Sequence, residues 1–249
     1  MTEARSEQKH HNDIYGDLKT NEGGEVAAAI PAATVVLIRD QTDGLEVLML
    51  KKNSKIAFGG MWVFPGGRID DDDYPDDRDP LTAARQAAAR ETEEEAGVST
   101  SPDDFVWFAH WTPPASTSKR FATWFFAAKL NQNQVISIDG GEILEHNWMS
   151  PGDALDKHTA GEIDLAPPTW ITLYHLSLYP TADKVLDVFR SQPEKVYETR
   201  VHVRSDGIRV AMWQGDSGYM SKDPDAQGDR HRLVLNPNGF EFENSAVTY

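Results

Sequence analysis

Arg90-Glu91-Thr92-Glu93-Glu94-Glu95-Ala96-Gly97-Val98 carries more chemical information than any other run in the chain. Upstream, Asp79-Pro80 has the chemistry of an N-cap followed by proline at the first helical position, and Gly97 that of a terminator, which predicts a helix of about 16 residues. Residues three and four apart on a helix share a face, so Glu91, Glu94 and Glu95 are expected to converge while Glu93 points elsewhere. Three carboxylates within reach of one point repel one another unless a cation sits between them. Mg²⁺ or Mn²⁺ is the natural occupant, because hard divalent cations take oxygen ligands and Mg²⁺ shares its remaining positions with water and substrate phosphates. Leu81, Ala84, Ala87 and Ala88 supply the helix with a small apolar face.

Taken alone, an E-x-x-E-E pattern reads more readily as a solvated helix face. Its company argues otherwise. Phe64-Pro65-Gly66-Gly67 ends a short strand at 61–64 and can bring backbone carbonyls, that of Gly66 first, to the same cation. Before it lies a hairpin signal, Thr34-Val35-Val36-Leu37-Ile38 and Leu45-Glu46-Val47-Leu48-Met49-Leu50 about a Thr42-Asp43-Gly44 turn. The stretch 69–80 holds so many aspartates that it is expected to be a loop. Beyond the helix the pattern predicts strands at 105–111, 120–130 and 143–149, a helix opened by Ser150, helices at 169–178 and 181–190, and strands at 196–203, 208–213 and 232–235. Helices inserted among strands, without strict alternation, make the expected class α+β.

The chain resembles the Nudix hydrolase family, whose box is G-x5-E-x7-R-E-U-x-E-E-x-G-U with U a bulky apolar residue. Gly67 fits the opening, and Arg90, Glu91, Glu94, Glu95, Gly97 and Val98 fit the close, within a region of resemblance covering roughly residues 32–158. Thr92 stands where the box has an apolar residue, and Gly67 to Arg90 spans 23 positions where the box has 14, so about nine residues near 71–79 look inserted. The box's first glutamate, which braces the arginine, falls on Asp73 counting forward and on Thr82 counting back, so no glutamate occupies that place. The resemblance implies an α/β/α sandwich with a mixed sheet and divalent-metal-dependent hydrolysis of a diphosphate joined to another moiety; the strand signals beyond residue 196 add a C-terminal strand-rich extension. Metal ligation is then expected from Gly66, Glu91, Glu94, Glu95 and Glu145, with Glu142 or Glu145 as a further ligand or base and Arg90 orienting a glutamate. Lys51, Lys52 and Arg120 are the candidate substrate contacts, and Trp111, Trp124 and Trp148 either pack in the core or stack on a base.

The run Leu50-Lys51-Lys52, the Gly59-Gly60-Met61-Trp62-Val63-Phe64-Pro65-Gly66-Gly67 segment and Leu165-Ala166-Pro167-Pro168-Thr169 are similar to the peroxisomal-type coenzyme A diphosphatases. That subgroup's signature has a basic residue where this chain has Ile56, with Lys55 adjacent. Coenzyme A or an acyl-CoA is the expected substrate. An ADP-ribose or NADH-type pyrophosphatase and a nucleotide-binding regulator without catalysis are the rival readings.

Composition narrows the field further. Of 249 residues, 39% are hydrophobic and 26% charged, which excludes disorder throughout. The excess of 40 Asp+Glu over 24 Lys+Arg, a net charge of −16, repels a polyphosphate backbone, so no nucleic-acid partner is expected. Without cysteine there is no disulfide, thiol nucleophile or Cys-ligated zinc. The longest apolar run, at 26–38, is broken by Pro31 and falls short of the roughly 20 residues a membrane span needs. Residues 1–28 read as a flexible polar arm without a secretory signal, 29–192 as the hydrolase domain and 193–249 as the extension, the whole expected in the cytoplasm. The extension is free to cover the core, shape the pocket or support a homodimer. Gly215-Asp216-Ser217-Gly218 reads as a turn, His10 and His11 lack a third ligand, and His110, His146, His158 and His175 show no zinc-site spacing.

Overall fold

Strand β1 (Ile30–Gln41) explains the layering. Val35 and Leu37 point to one side and Val36 and Ile38 to the other, and all four are fully buried, as a strand covered on both faces requires. The computed structural model describes residues 12–14, 28–55, 58–117, 120–131 and 134–249. His10, His11, Ile56 and most of the expected arm lie outside the described residues.

The hairpin partner β2 (Gly44–Lys52) joins β1 through the expected tight turn, with Gln41 opposite Gly44 and Asp40 opposite Leu45. Then follow β3 (Trp62–Val63), β4 (Gly66–Arg68), helix α1 (Pro80–Ala96), β5 (Val106–Thr112), β6 (Phe121–Lys129), β7 (Ile143–Met149) and helices α2 (Pro151–Thr159), α3 (Pro167–Ser177) and α4 (Ala182–Ser191). The chain ends in β8 (Lys195–Glu198), β9 (Arg200–Val203), β10 (Arg209–Met212), β11 (His231–Asn236) and β12 (Gly239–Asn244). The mixed sheet runs β3-β2-β1-β6-β5-β8, with β4 added to β1 and β7 to β2; β6 lies parallel to β1 and β8 parallel to β5. The last four strands form a separate antiparallel sheet in the order β12-β11-β10-β9.

Helix α1 covers one face. Ala83, Ala84, Ala87 and Ala88 are fully buried against a cluster that includes Leu37, Leu48, Leu50 and Phe126, and their small size lets the helix lie close to the sheet. Its ends are those expected: the Asp79 side chain accepts the Thr82 N–H, and Gly97 turns out of the helix at φ +66° while donating its N–H to the Glu93 carbonyl. The other face is covered by α3, α4 and the second sheet, whose Trp213, Leu233 and Leu235 share one cluster with Val36, Met49 and Ile171. Trp111 ties the layers, stacked on Tyr197 at 3.6 Å between ring centroids and meeting Trp213 edge-on at 5.5 Å.

Three observations refine the sequence reading. Strand β8, within the expected extension, pairs parallel with β5 in the main sheet. Residues 12–14, within the expected arm, are held: Asn12 and Asp13 are buried, with Asn12 Nδ2 donating to the Leu165 carbonyl at 2.6 Å. The 215–218 turn is structural, because the buried Asp216 carboxylate receives Nε and Nη2 of buried Arg232, both at 2.6 Å, and the N–H groups of Gly218 and His231. No helix among the described residues is long and apolar enough to cross a membrane.

Candidate active site

Pairing of β4 with β1, Gly66 opposite Thr34, lays the Pro65-Gly66-Gly67 bend across the last turns of α1. The Gly66 N–H donates to Glu95 Oε2 at 3.0 Å, and Lys52 Nζ donates to Glu95 Oε1 at 2.9 Å. Glu95 is almost wholly buried in this arrangement. Glu91 lies so close to the bend that a Cβ on Gly67 would stand 2.4 Å from its carboxyl carbon, which is why glycine is required there. Glu94 is 60% exposed, and its Oε2 lies 3.3 Å from Arg90 Nη1. Two of the three expected carboxylates therefore meet at the bend. The third stands on the rim, and among the described residues no three His, Asp or Glu side chains already surround one point.

Arg90 places all five of its N–H groups. Nε and Nη2 form a fork on Asp73, at 3.0 and 2.9 Å; Nη2 also donates to the Arg68 carbonyl, and Nη1 donates to Glu91 and Glu94. The Asp73 and Glu91 hydrogen bonds, set against the cost of burial, raise the already high pKa of the guanidinium. A guanidinium spent in this way orients carboxylates and has no donor left for a ligand. Asp73 itself is buried on a 3₁₀ turn, Asp71–Asp73, and accepts the Asp70 N–H at 2.8 Å. It thus holds the bracing place in which the sequence has no glutamate. The residues inserted relative to the box follow Asp73 rather than starting at 71, since Asp73 precedes Arg90 by 17 positions instead of 8.

The electrostatics favour a cation. Burial raises the pKa of Glu95 most, Lys52 and the Gly66 N–H pull it back, and the charge on Glu91 raises it again; the net shift is upward. Glu91 is likewise raised, first by burial and against the opposing pull of Arg90. Glu95 and Glu91 each have one cationic partner, Lys52 and Arg90; with Glu94 three residues along the helix from Glu91 they form an all-oxygen donor set that suits a hard divalent ion.

The site opens into a cleft of about 750 Å³. Its lining combines charged side chains, Glu91, Glu142, Asp70, Lys52 and Arg68, with apolar ones that include Phe58, Met61, Phe121, Phe125, Trp111 and Ile14. Of the expected substrate contacts only Lys52 lines it. Lys51 points to the opposite side of β2 and pairs with Glu145 across the β2–β7 register, at 2.7 Å, so Glu142 and not Glu145 faces the cleft. Arg120 donates to the Pro113 carbonyl beside the rim. Trp124 packs on Trp107, and Trp148 lies under the Arg39 guanidinium. Asp73 was findable by counting forward from Gly67; Ile14, far from any motif, was not.

Comparison with known proteins agrees with this geometry. The chain is 23% identical to an acyl-coenzyme A diphosphatase of Xenopus laevis, NUDT19, over 82% of this chain and 78% of that protein. It is 25% identical to putative nudix hydrolase 7 of Caenorhabditis elegans, over 86% and 84% of the two chains. A crystal structure of a NUDIX hydrolase from Alicyclobacillus acidocaldarius superposes with a TM-score of 0.57 at 22% identity, covering 66% of this chain and 97% of that one, and shows the shared fold. The NUDIX domain family model matches residues 29–168, a span that contains the bend, the Asp73–Arg90 fork and the carboxylate helix. The chain therefore belongs to the Nudix family, as a hydrolase of nucleoside diphosphate derivatives.

Proposed function

We propose that this hydrolase cleaves the diphosphate linkage of coenzyme A or an acyl-CoA, with Mg²⁺ or Mn²⁺ as its ion. The observation that carries the reading is that the cleft lined by Glu91 and Glu142 is also lined by aromatic and aliphatic side chains, Phe58, Met61, Phe121 and Phe125 among them. A diphosphate ester with a long, partly apolar arm matches both kinds of lining at once; a nucleoside triphosphate would leave much of the apolar lining unused. The similarity to an acyl-coenzyme A diphosphatase supports the same substrate class.

In this reading Glu91 and Glu95 hold the ion from the helix, Glu94 completes the set from the rim, and the Gly66 carbonyl is a further candidate ligand. A divalent ion bound there supplies charge neutralisation to the diphosphate and lowers the pKa of water. Arg90, fixed by Asp73, keeps Glu91 and Glu94 in place. Lys52 sits between Glu95 and the cleft, where its ammonium reaches substrate phosphate oxygens by a rotamer change. Glu142 is the candidate base. The apolar wall binds the group beyond the diphosphate and so orients the phosphorus to be attacked.

The test is a panel of coenzyme A, acyl-CoA esters, ADP-ribose, NADH and nucleoside triphosphates, assayed with Mg²⁺ and with Mn²⁺ and with products identified by mass. Cleavage of coenzyme A esters into an acyl-4′-phosphopantetheine and adenosine 3′,5′-bisphosphate, lost in Glu94→Gln, is expected. Undiminished hydrolysis in that variant, or a preference for triphosphates, contradicts the assignment.

A further inference from the structure

We infer that the short segment Asn12-Asp13-Ile14 is a substrate-selecting wall of the active-site cleft, clasped in place by the C-terminal sheet. The inference rests on the coenzyme A reading for the chemistry of what Ile14 touches. It does not rest on that reading for the clasp itself.

Three contacts build the clasp. Asn12 Nδ2 donates to the Leu165 carbonyl at 2.6 Å and lies 3.3 Å from His158 Nε2, which fixes the segment to α2 and to the approach to α3. Asp13 is buried and forms an ion pair with Arg209, the first residue of β10. The Ile14 N–H donates to the Asn12 carbonyl at 3.0 Å, and this tight local turn sets the Ile14 side chain partly buried against the main apolar cluster and into the cleft. The residues after Leu165 belong to the same wall, since Ala166, Pro168 and Thr169 line the cleft too.

This arrangement is more than a tether. A buried carboxylate is held only where its partner compensates the loss of water, so the Asp13–Arg209 pair favours one position of the segment. That position puts a branched aliphatic side chain on the apolar wall, where it contacts the moiety beyond the diphosphate. Asn12, Asp13 and Arg209 act as positioning residues, and Ile14 as the residue that meets substrate. The C-terminal sheet thereby takes part in specificity without supplying a catalytic group.

The test uses the full chain with Ile14→Ala, Asp13→Asn and Arg209→Met, each checked by circular dichroism to be folded at the assay temperature, since the two clasp variants are expected to lower the thermal midpoint. Steady-state kinetics on coenzyme A and on a long-chain acyl-CoA are expected to show KM raised about three- to tenfold in Ile14→Ala with kcat within about twofold, the pattern of lost ground-state binding. Hydrogen exchange is expected to show the amides of 12–14 losing protection in Arg209→Met and in Asp13→Asn. Unchanged KM in Ile14→Ala, a loss confined to kcat, or unaltered exchange in both clasp variants overturns the inference. A wild-type enzyme that hydrolyses ADP-ribose but no coenzyme A ester overturns the substrate reading alone, because the same KM split measured on ADP-ribose still decides the role of Ile14.

Discussion

Asp73→Ala removes the carboxylate that receives Nε and Nη2 of Arg90 and the N–H of Asp70. A hydrogen bond to a charged group contributes about 1.5–3 kcal/mol, and two parallel ones from a guanidinium would double that if both were dry. The Arg90 side chain is 30% exposed, so water recovers part of the loss and the expected cost is about 2–3 kcal/mol. With a urea slope of about 2–3 kcal/mol/M the unfolding midpoint falls by about 1 M. Activity suffers more than stability, because Arg90 also holds Glu91 and Glu94, and a displacement of about 1 Å at a reacting geometry costs on the order of 10²-fold in rate. Urea unfolding and kcat/KM on the best substrate of the panel measure the two effects. Asp73→Glu separates them from a general loss of fold: it keeps the fork's two acceptors and should retain kcat/KM within about tenfold. Wild-type midpoint and wild-type kcat/KM in Asp73→Ala would refute the reasoning and reduce the fork to a surface ion pair.

Lys52→Met takes a cation away from Glu95, so Mn²⁺ binding without substrate, followed by paramagnetic resonance, should tighten about tenfold while KM rises; equal or weaker Mn²⁺ affinity rejects the role given to Lys52. Gly67→Ala puts a methyl 2.4 Å from the Glu91 carboxyl carbon, and Glu91 must swing off the bend. Turnover should fall on the order of 10²-fold with a thermal midpoint within a few degrees of wild type, and full activity would mean that Glu91 is not needed there. Asp216→Asn breaks a buried pair and should cost about 3–5 kcal/mol near neutrality with kcat of the folded enzyme unchanged. Burial raises the Asp216 pKa, but Arg232 and the His231 and Gly218 N–H groups outweigh it and leave it lowered. The stability it contributes is therefore complete above the unfolded carboxyl value of about 3.9 and is lost as pH falls through the lower folded value. The gap between wild type and variant should close in acid, and a gap independent of pH counts against the pairing.

What could be read from the sequence was local. Helix α1 is announced at both ends by Asp79-Pro80 and Gly97, and its carboxylates inherit their spacing from the helix, so their shared face needs no knowledge of the rest of the chain. Strand β12 lies outside the predicted strands, although Phe240 and Phe242 alternate with Glu241 and Glu243, the period of a half-buried strand. Other features are set by tertiary pairing. Lys51 and Lys52 are neighbours in sequence, yet a strand sends them to opposite faces; the register with β7 brings Glu145 to Lys51, and the packing of α1 on the sheet brings Glu95 to Lys52. The cleft wall draws Ile14, Trp111 and Thr199 from distant parts of the chain, where no periodicity connects them.

The bracing aspartate shows why spacing fails across a loop and holds within a helix. Counting back from Arg90 assumes that the connection has the length of the box, and it lands on Thr82, whose hydroxyl and N–H are engaged by the Asp79 cap. A loop has no such obligation. Doubling its length adds only about 0.6 kcal/mol of closure entropy, so a fork of two charge-assisted bonds can recover a carboxylate from much farther upstream. The shorter aspartate reaches Arg90 because the Asp71–Asp73 turn carries its backbone toward the helix and is itself closed by the Asp70 N–H. The quantity preserved is the position of two oxygens opposite a guanidinium; residue type and loop length are free to change together provided that position is kept. By the same logic, shortening the connection between Asp73 and Pro80 should leave catalysis intact for as long as the fork can still close.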